Sequence, residues 1–383
     1  MDPDATSLSL AESEHNLMNL PLRIGAALIG LLLVLASLRS VFQVAVINRQ
    51  RGDWPSRCVG WLVYTALARR AVKRQSYADI QDVLAWVLPL YILLLIVVWF
   101  GIVQAGFSLL IWSSQAEHGF LQAVIASGSA LSTLGFLTPP DIAGQLLAIL
   151  EGAMGLGVVV FYFTFIPGYQ TAIQLRQIKV AWLYARAGAG LTNFTLVEWF
   201  LLSGSSDWNE LWEGWEFWFR NIAETHALAP ILAFVPTVQR GQTWLAAAAV
   251  ALDSASFYLS ALEERAMSSA SVCHRTGVDA LRLIAAELAD RRGAPDPIGG
   301  RNLARGDFDT ACDRLTALGA EIKVERDICW RRFTELRGEY EAFLSNLAES
   351  LLVPVHDSLL LPLAGSATAA TALASCDTGE KAF

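Results

Sequence analysis

A chain of 383 residues in which 54% are hydrophobic and only 17% charged, with a mean hydropathy of +0.42, departs from a soluble globular composition. Such proteins carry about 25% charged residues. The apolar residues concentrate in three long runs before residue 169, which is membrane composition. A net charge of −8 and a sequence pI of about 5.2 argue against a nucleic-acid-binding protein.

Residues 1–18 are acidic (Asp2, Asp4, Glu12, Glu14) with no basic run ahead of the apolar stretch, so no cleaved signal peptide is expected. The first apolar span is predicted over 19–47, with Gly25 and Gly30 inside it and Arg23 and Arg39 placed to snorkel toward an interface. Residues 54–75 carry Trp54, Val59, Trp61, Leu62, Tyr64 and Leu67, followed by Arg69, Arg70, Lys73 and Arg74. This pattern predicts an amphipathic helix, either at the inner membrane interface or packed on a soluble domain. The second span is predicted over 83–112, with no charge between Leu88 and Phe100. At about 1.5 Å per residue it crosses a ~30 Å hydrocarbon core with room for tilt.

Residues 119–132 form a helical stretch of about 14 residues, too short to span. Next come Gly135, Pro139 and Pro140; the prolines cannot continue a helix, and Thr138 is pushed out of the helical region by the proline after it. The third span is predicted over 142–167, with one acid, Glu151, and a cluster of Gly152, Gly155 and Gly157. Basic residues set the orientation. Residues 48–82 carry Arg49, Arg51, Arg57, Arg69, Arg70, Lys73 and Arg74, and the segment after the third span carries Arg176, Lys179 and Arg186, whereas 1–18 and 113–141 have no Lys or Arg. The N-terminus is therefore expected outside and the C-terminal half in the cytoplasm.

The tip Ser132-Thr133-Leu134-Gly135-Phe136-Leu137 resembles the pore module of the potassium-channel superfamily, in which a pore helix runs into a Thr-Val-Gly-Tyr-Gly-Asp filter. Thr133, Leu134, Gly135 and Phe136 match the first four filter positions, while Leu137 stands in place of the second Gly and Thr138 in place of the Asp. The resemblance covers 83–168 and implies a cation pore closed by four copies of the chain, in a bacterial inner membrane. The helix before the filter directs the negative end of its dipole at the ion, and the Thr133 hydroxyl and the carbonyls of Thr133, Leu134 and Gly135 are candidate ligands. Gly takes positive φ freely, whereas Leu137 resists it, so fewer ordered ion sites than in a full filter and a weakened potassium preference are expected. Gly155 or Gly157 stands where the family has a gating hinge, and close helix packing accounts for the same glycines equally well. Glu151 either faces the cavity, where it would concentrate cations, or pairs behind the pore helix with Ser127, Ser129 or Ser132; its early position in the span favours the second. Glu117 and Asp141 are candidate acids of the outer mouth, or ordinary surface groups.

Residues 169–362 are predicted to be helical, with helices over 169–188, 195–203, 207–225, 241–265, 267–291, 305–336 and 337–353, a Gly- and Pro-rich break at 293–300, and a disordered tail over 363–383. Trp208, Trp212, Trp215 and Trp218 share one helix face, read first as bundle core and second as a membrane belt. Residues 243–257 are apolar enough to hint at a fourth span, but Asp253 and Ser254 interrupt them, and a crossing there would carry Arg275, Arg282, Arg291 and Arg292 outside. Asp253 is then buried and needs a partner, with His226 and Arg240 the candidates. A metal site from His226, Asp253 and Glu198 is a minor alternative to a structural hydrogen bond. Cys58, Cys273, Cys312, Cys329 and Cys376 show no metal spacing and read as reduced thiols. No nucleophile–base constellation or phosphate loop is present, so no enzyme is expected.

The expected protein is an all-α membrane protein with three transmembrane helices, a re-entrant pore helix and filter loop, and a helical cytoplasmic domain. Its segments are 1–18 outside, 19–82 the first span and basic linker, 83–168 the channel module, 169–362 the cytoplasmic domain and 363–383 the tail. It conducts K+ or monovalent cations nonselectively as a homotetramer, without a cofactor, in contact with lipid, under a gating ligand that the sequence does not name. The candidate filter is Ser132–Leu137, and the candidate gating residues are Glu151, Gly155 and Gly157. The rival readings are a non-conducting sensor or scaffold, and a subunit resembling the potassium-uptake transporters, whose four repeats in one chain contrast with one here.

Overall fold

A computed structural model describes residues 3–45, 53–74, 76–114, 119–187, 191–262, 267–289 and 303–353. The expectations for Arg49, Arg51, Glu117, the break at 293–300, Cys376 and the tail fall outside these residues. In chain order the helices are α1 (Pro3–Ala45), α2 (Trp54–Ala71), α3 (Tyr77–Leu84), α4 (Val87–Ser113), α5 (Phe120–Leu131), α6 (Ile142–Arg186), α7 (Thr195–Ser203), α8 (Trp208–Leu228), a 3-10 turn (Pro230–Phe234), α9 (Trp244–Ala261), α10 (Met267–Ala289), α11 (Arg305–Ala317), α12 (Arg326–Gly338) and α13 (Glu341–Ser350). Among the described residues there is no strand, only an isolated bridge between Leu262 and Ile322. Among the described residues four stretches are long and apolar enough to cross a membrane: Leu20–Val44, Tyr77–Ser113, Ile142–Arg186 and Trp244–Ala261.

Several boundaries differ from those expected, each for a local reason. The third span and the helix expected at 169–188 are one helix, α6, 45 residues long. Pro167 lies inside it and removes a single backbone donor, and the helix continues on both sides. The helix expected over 305–336 is two, because the chain turns at Gly319 with φ +96°, where its N–H and that of Ala320 cap carbonyls of Thr316 and Leu315. The second span carries a break between α3 and α4, where Pro89 has no N–H to give to the preceding turn. Upstream, α1 begins at Pro3, so part of the expected N-terminal segment is helical.

The chain divides into two compact units, Met1–Val63 with Pro89–Tyr169, and Tyr64–Leu88 with Gln170–Phe383. In the first, α1 and α4 cross with their backbones in close approach. A Cβ on Gly30 would lie 2.7 Å from the Gly106 carbonyl oxygen, and one on Gly106 would lie 2.8 Å from Val34. Small residues at such crossings let helices pack without a hydrophobic drive between them. Val34, Val103, Phe107 and Leu131 form the core, with Phe100, Leu110, Leu147 and Met154 packed on it. Ser40 accepts from the Trp99 indole N–H at 2.8 Å and donates to Asp53.

In the second unit, α9 is the central helix. Nearly every one of its residues is buried, and α7, α8, α10, α12 and α13 pack around it. A helix apolar on all sides is either a membrane span or the centre of a large core, and here the surrounding helices supply the cover. Trp208, Trp212, Trp215 and Trp218 are all buried, with Trp208 stacked on Phe200 at 3.7 Å between ring centroids. Gly277 of α10 admits Phe219 and Leu252, whose atoms would lie 2.9 and 2.7 Å from a Cβ there.

Candidate functional site

The short helix α5 has 12 residues, about 18 Å of rise. It follows α4 and precedes α6, both of membrane length. Its placement is set by buried polar bonds in an apolar surrounding, where an unmet partner is costly. Ser127 donates to Glu151 Oε1 of α6 at 2.6 Å and lies 3.1 Å from the Gln104 carbonyl oxygen of α4. Ser127 and Glu151 are both fully buried, so Glu151 sits behind α5 rather than on an open surface. A Cβ on Gly155 would meet Leu131 Cδ1 at 2.8 Å and the Leu131 carbonyl oxygen at 3.0 Å, so Gly155 is where α6 lies against the end of α5. Gly157 has nothing within 4 Å of a Cβ, and α6 is unbroken through both glycines.

The loop after α5 has a defined backbone. Ser132 closes the helix by donating its N–H to Gly128, and Thr133 donates to Ala130 at 3.0 Å. Thr133 and Gly135 both take left-handed conformations, with φ 59° and 64°. Gly does so freely, whereas a residue with a Cβ pays about 1–2 kcal/mol. What holds Thr133 there is Ser129, a buried residue that the sequence reading offered only as a partner for Glu151. Its carbonyl accepts from the Gly135 N–H at 3.2 Å, and its hydroxyl accepts from the Leu137 N–H at 3.0 Å. Ser132 to Phe136 are exposed, Leu134 at 72% and Phe136 at 67%, and Leu137 is half-buried. Asp141, a candidate acid of the mouth, caps α6, accepting from the Gly144 N–H at 3.2 Å.

The Ser129 hydroxyl is therefore expected to control the order of the loop. In Ser129→Ala the Leu137 N–H loses its acceptor, at a cost of about 1 kcal/mol. Hydrogen exchange over 133–138 is expected to quicken several-fold while the peptides of α4 and α6 keep their protection. Unchanged exchange would show that the loop holds its shape without this bond.

In the second unit the partners expected for Asp253 are corrected. Asp253 accepts from Asn193 Nδ2 at 2.6 Å and from the Tyr340 hydroxyl, with Arg337 Nε 4.0 Å away. His226 and Arg240 are engaged elsewhere, His226 with Arg176 and Arg240 with Asp82. Glu198 lies 3.4 Å from Arg314. Among the described residues no group of three His, Cys, Asp or Glu side chains is placed to hold a metal. The sequence reading missed Asn193, Tyr340 and Arg337 because each is far away in the chain and only the packing around α9 brings them to Asp253.

Arg176 of α6 is fully buried. Its guanidinium donates to the Leu232 and Val235 carbonyls at 2.9 and 2.7 Å and to His226 Nε2 at 3.0 Å. This bond requires a lone pair on His226 Nε2, so the proton sits on Nδ1, 3.0 Å from Thr225 Oγ1. Burial, and then the charge of Arg176, hold the His226 pKa well below the ordinary histidine value; burial lowers that of His274 as well. In the unfolded chain both titrate near pH 6.5. Below that pH the unfolded state binds more protons than the folded one, so their contribution is complete above about pH 6.5 and declines as pH falls toward the depressed folded values. Glu198 and Glu341, whose pKa burial raises, act in the opposite sense. The histidine effect is therefore read as a difference: between pH 7.5 and 5.5 the wild type is expected to lose more unfolding free energy than His226→Gln. Equal losses would contradict a neutral His226 in the fold.

Compared with known families, with characterised proteins and with solved structures, the chain matches none.

Proposed function

We propose that the protein is a cation channel in which four copies surround a central axis and the loop Ser132–Leu137 of each lines the narrow part of the path. One observation carries the reading: an exposed loop whose left-handed backbone at Thr133 and Gly135 is fixed by bonds to Ser129, at the end of a helix too short to span and locked to α4 and α6. A loop shaped in this way and left open on its outer side suits a site completed by copies of itself. Closed cyclic assembly is the general route to a central axis. The C-terminal end of α5 contributes negative potential, and backbone carbonyls replace the water around a cation.

In this reading α1, α4 and the first part of α6 cross a bacterial inner membrane, with the N-terminus outside and the helices from α7 onward in the cytoplasm. The permeant ion is K+ or Na+, with little preference between them because Leu137 stands where a second flexible position would be. Gating reaches the pore along α6, which continues without interruption from the candidate cavity segment to Arg176. Native mass spectrometry of the purified protein, together with cation flux into liposomes, tests the proposal. A tetramer with flux above that of empty vesicles supports it; a strict monomer overturns it.

A further inference from the structure

We infer that the outward face of α2 is a docking surface for an anionic lipid bilayer. The helix is two-faced. Val59, Val63, Leu67 and Ala71, four residues apart and so on one stripe, are buried. Tyr64 donates to the Ser350 carbonyl at 2.7 Å, and Asp53, just ahead of the helix, accepts from Ser40. With that face engaged, the other is held outward, and it is not a solvated face. Trp54 is 76% exposed and Trp61 52%, and Cys58 and Leu62 beside them are exposed too. Large apolar side chains gathered on one exposed face mark an interaction site.

Charge selects the occupant. Arg57, Arg69 and Arg70 on α2, and Lys73 and Arg74 just after it, are exposed, and no acid occurs over 54–74, in a chain whose net charge is −8. Arg69, Arg70, Lys73 and Arg74 have no carboxylate partner among the described residues. Tryptophans at headgroup depth with cations beside them are the chemistry of a bilayer interface, and basic side chains near such a surface bind its anionic headgroups. A soluble protein partner would have to match both the aromatic face and the run of cations. The bilayer is already within reach in the chain, because α1 and α4 on either side of α2 are both of membrane length. The inference rests on the chain lying in a membrane but not on conduction, so a reconstituted protein that passes no ions still reports on it.

Cys58 lies on this face, and the other cysteines among the described residues are buried, so it takes a single label once Cys376 is replaced by Ser. The full chain, labelled with an environment-sensitive fluorophore, is reconstituted in nanodiscs of phosphatidylcholine alone and with phosphatidylglycerol. Quenching by headgroup-depth doxyl lipid is compared with quenching by aqueous iodide. Doxyl quenching is expected to dominate in the anionic discs. Each basic residue near an anionic surface shifts the equilibrium about fivefold, so Arg69→Gln with Arg70→Gln, Lys73→Gln and Arg74→Gln is expected to abolish the dependence on phosphatidylglycerol. Iodide quenching in both compositions would place the face in water, and protection from both quenchers would place a protein over it; either overturns the inference.

Discussion

Gly135→Ala is expected to abolish cation flux while the protein still folds and assembles. No atom lies within 4 Å of a Cβ built on Gly135, so the methyl group meets no neighbour. The backbone does object, because φ is +64° and an alanine there pays about 1–2 kcal/mol. That is about a tenfold loss in the population of the native loop in each copy. Four copies must hold the shape together in the proposed assembly, so the losses compound. Gly168→Ala is the control: Gly168 also has open space around a Cβ, but it sits inside α6 with a helical backbone, and flux is expected to persist. Flux assays on the two variants, with size-exclusion profiles to confirm assembly, separate the outcomes. Persistent flux in Gly135→Ala would mean that the ion path does not run along this loop.

Arg176→Ala is expected to destabilise the second unit strongly. Three acceptors lose their donor at once: the carbonyls of Leu232 and Val235, and His226 Nε2. The substitution takes the charge away with the side chain and leaves neutral acceptors unmet, each at a cost of about 1–3 kcal/mol. The thermal midpoint should fall on the order of 10 °C for a unit of this size. Arg176→Lys should recover little, because an ammonium is a point charge and does not reproduce the fork that reaches three acceptors. The same side chain tests coupling. If α6 carries gating to the pore, Arg176→Lys alters the open fraction at temperatures where the protein remains folded. A midpoint within about 2 °C of wild type would contradict the clamp.

Apolar run length made the membrane-length helices legible, and the same measure made α5 too short to be one of them. Gly135 was legible because one residue type tolerates its conformation. Thr133 was not: nothing in a threonine announces a left-handed backbone, and it is held there by Ser129 through a loop closed only in three dimensions. Glu151 could be narrowed to two placements, and the choice between them depended on which face of α6 meets α5, which is a matter of packing. The continuity of α6 was hidden because a proline reads as a stop, whereas within a helix it costs one bond. The break at Gly319 was hidden for the opposite reason. Apolar residues at helical spacing run on from Leu315 and Leu318 to Ile322, and this periodicity outweighed a single glycine. Around Asp253 the partners come from two stretches of chain, Asn193 and the segment from Arg337 to Tyr340, both distant in sequence, and no local pattern connects them to it.

The central claim is that the loop Ser132–Leu137 conducts cations, and the reversal potential of purified protein in a planar bilayer tests it most directly. Under a KCl gradient the expected current reverses near the potassium equilibrium potential, and with K+ on one side and Na+ on the other it reverses near zero. Both currents should be absent in Gly135→Ala. A bilayer containing assembled wild-type protein that stays as silent as a protein-free one across the voltage range, or a current reversing at the chloride potential, would contradict the claim.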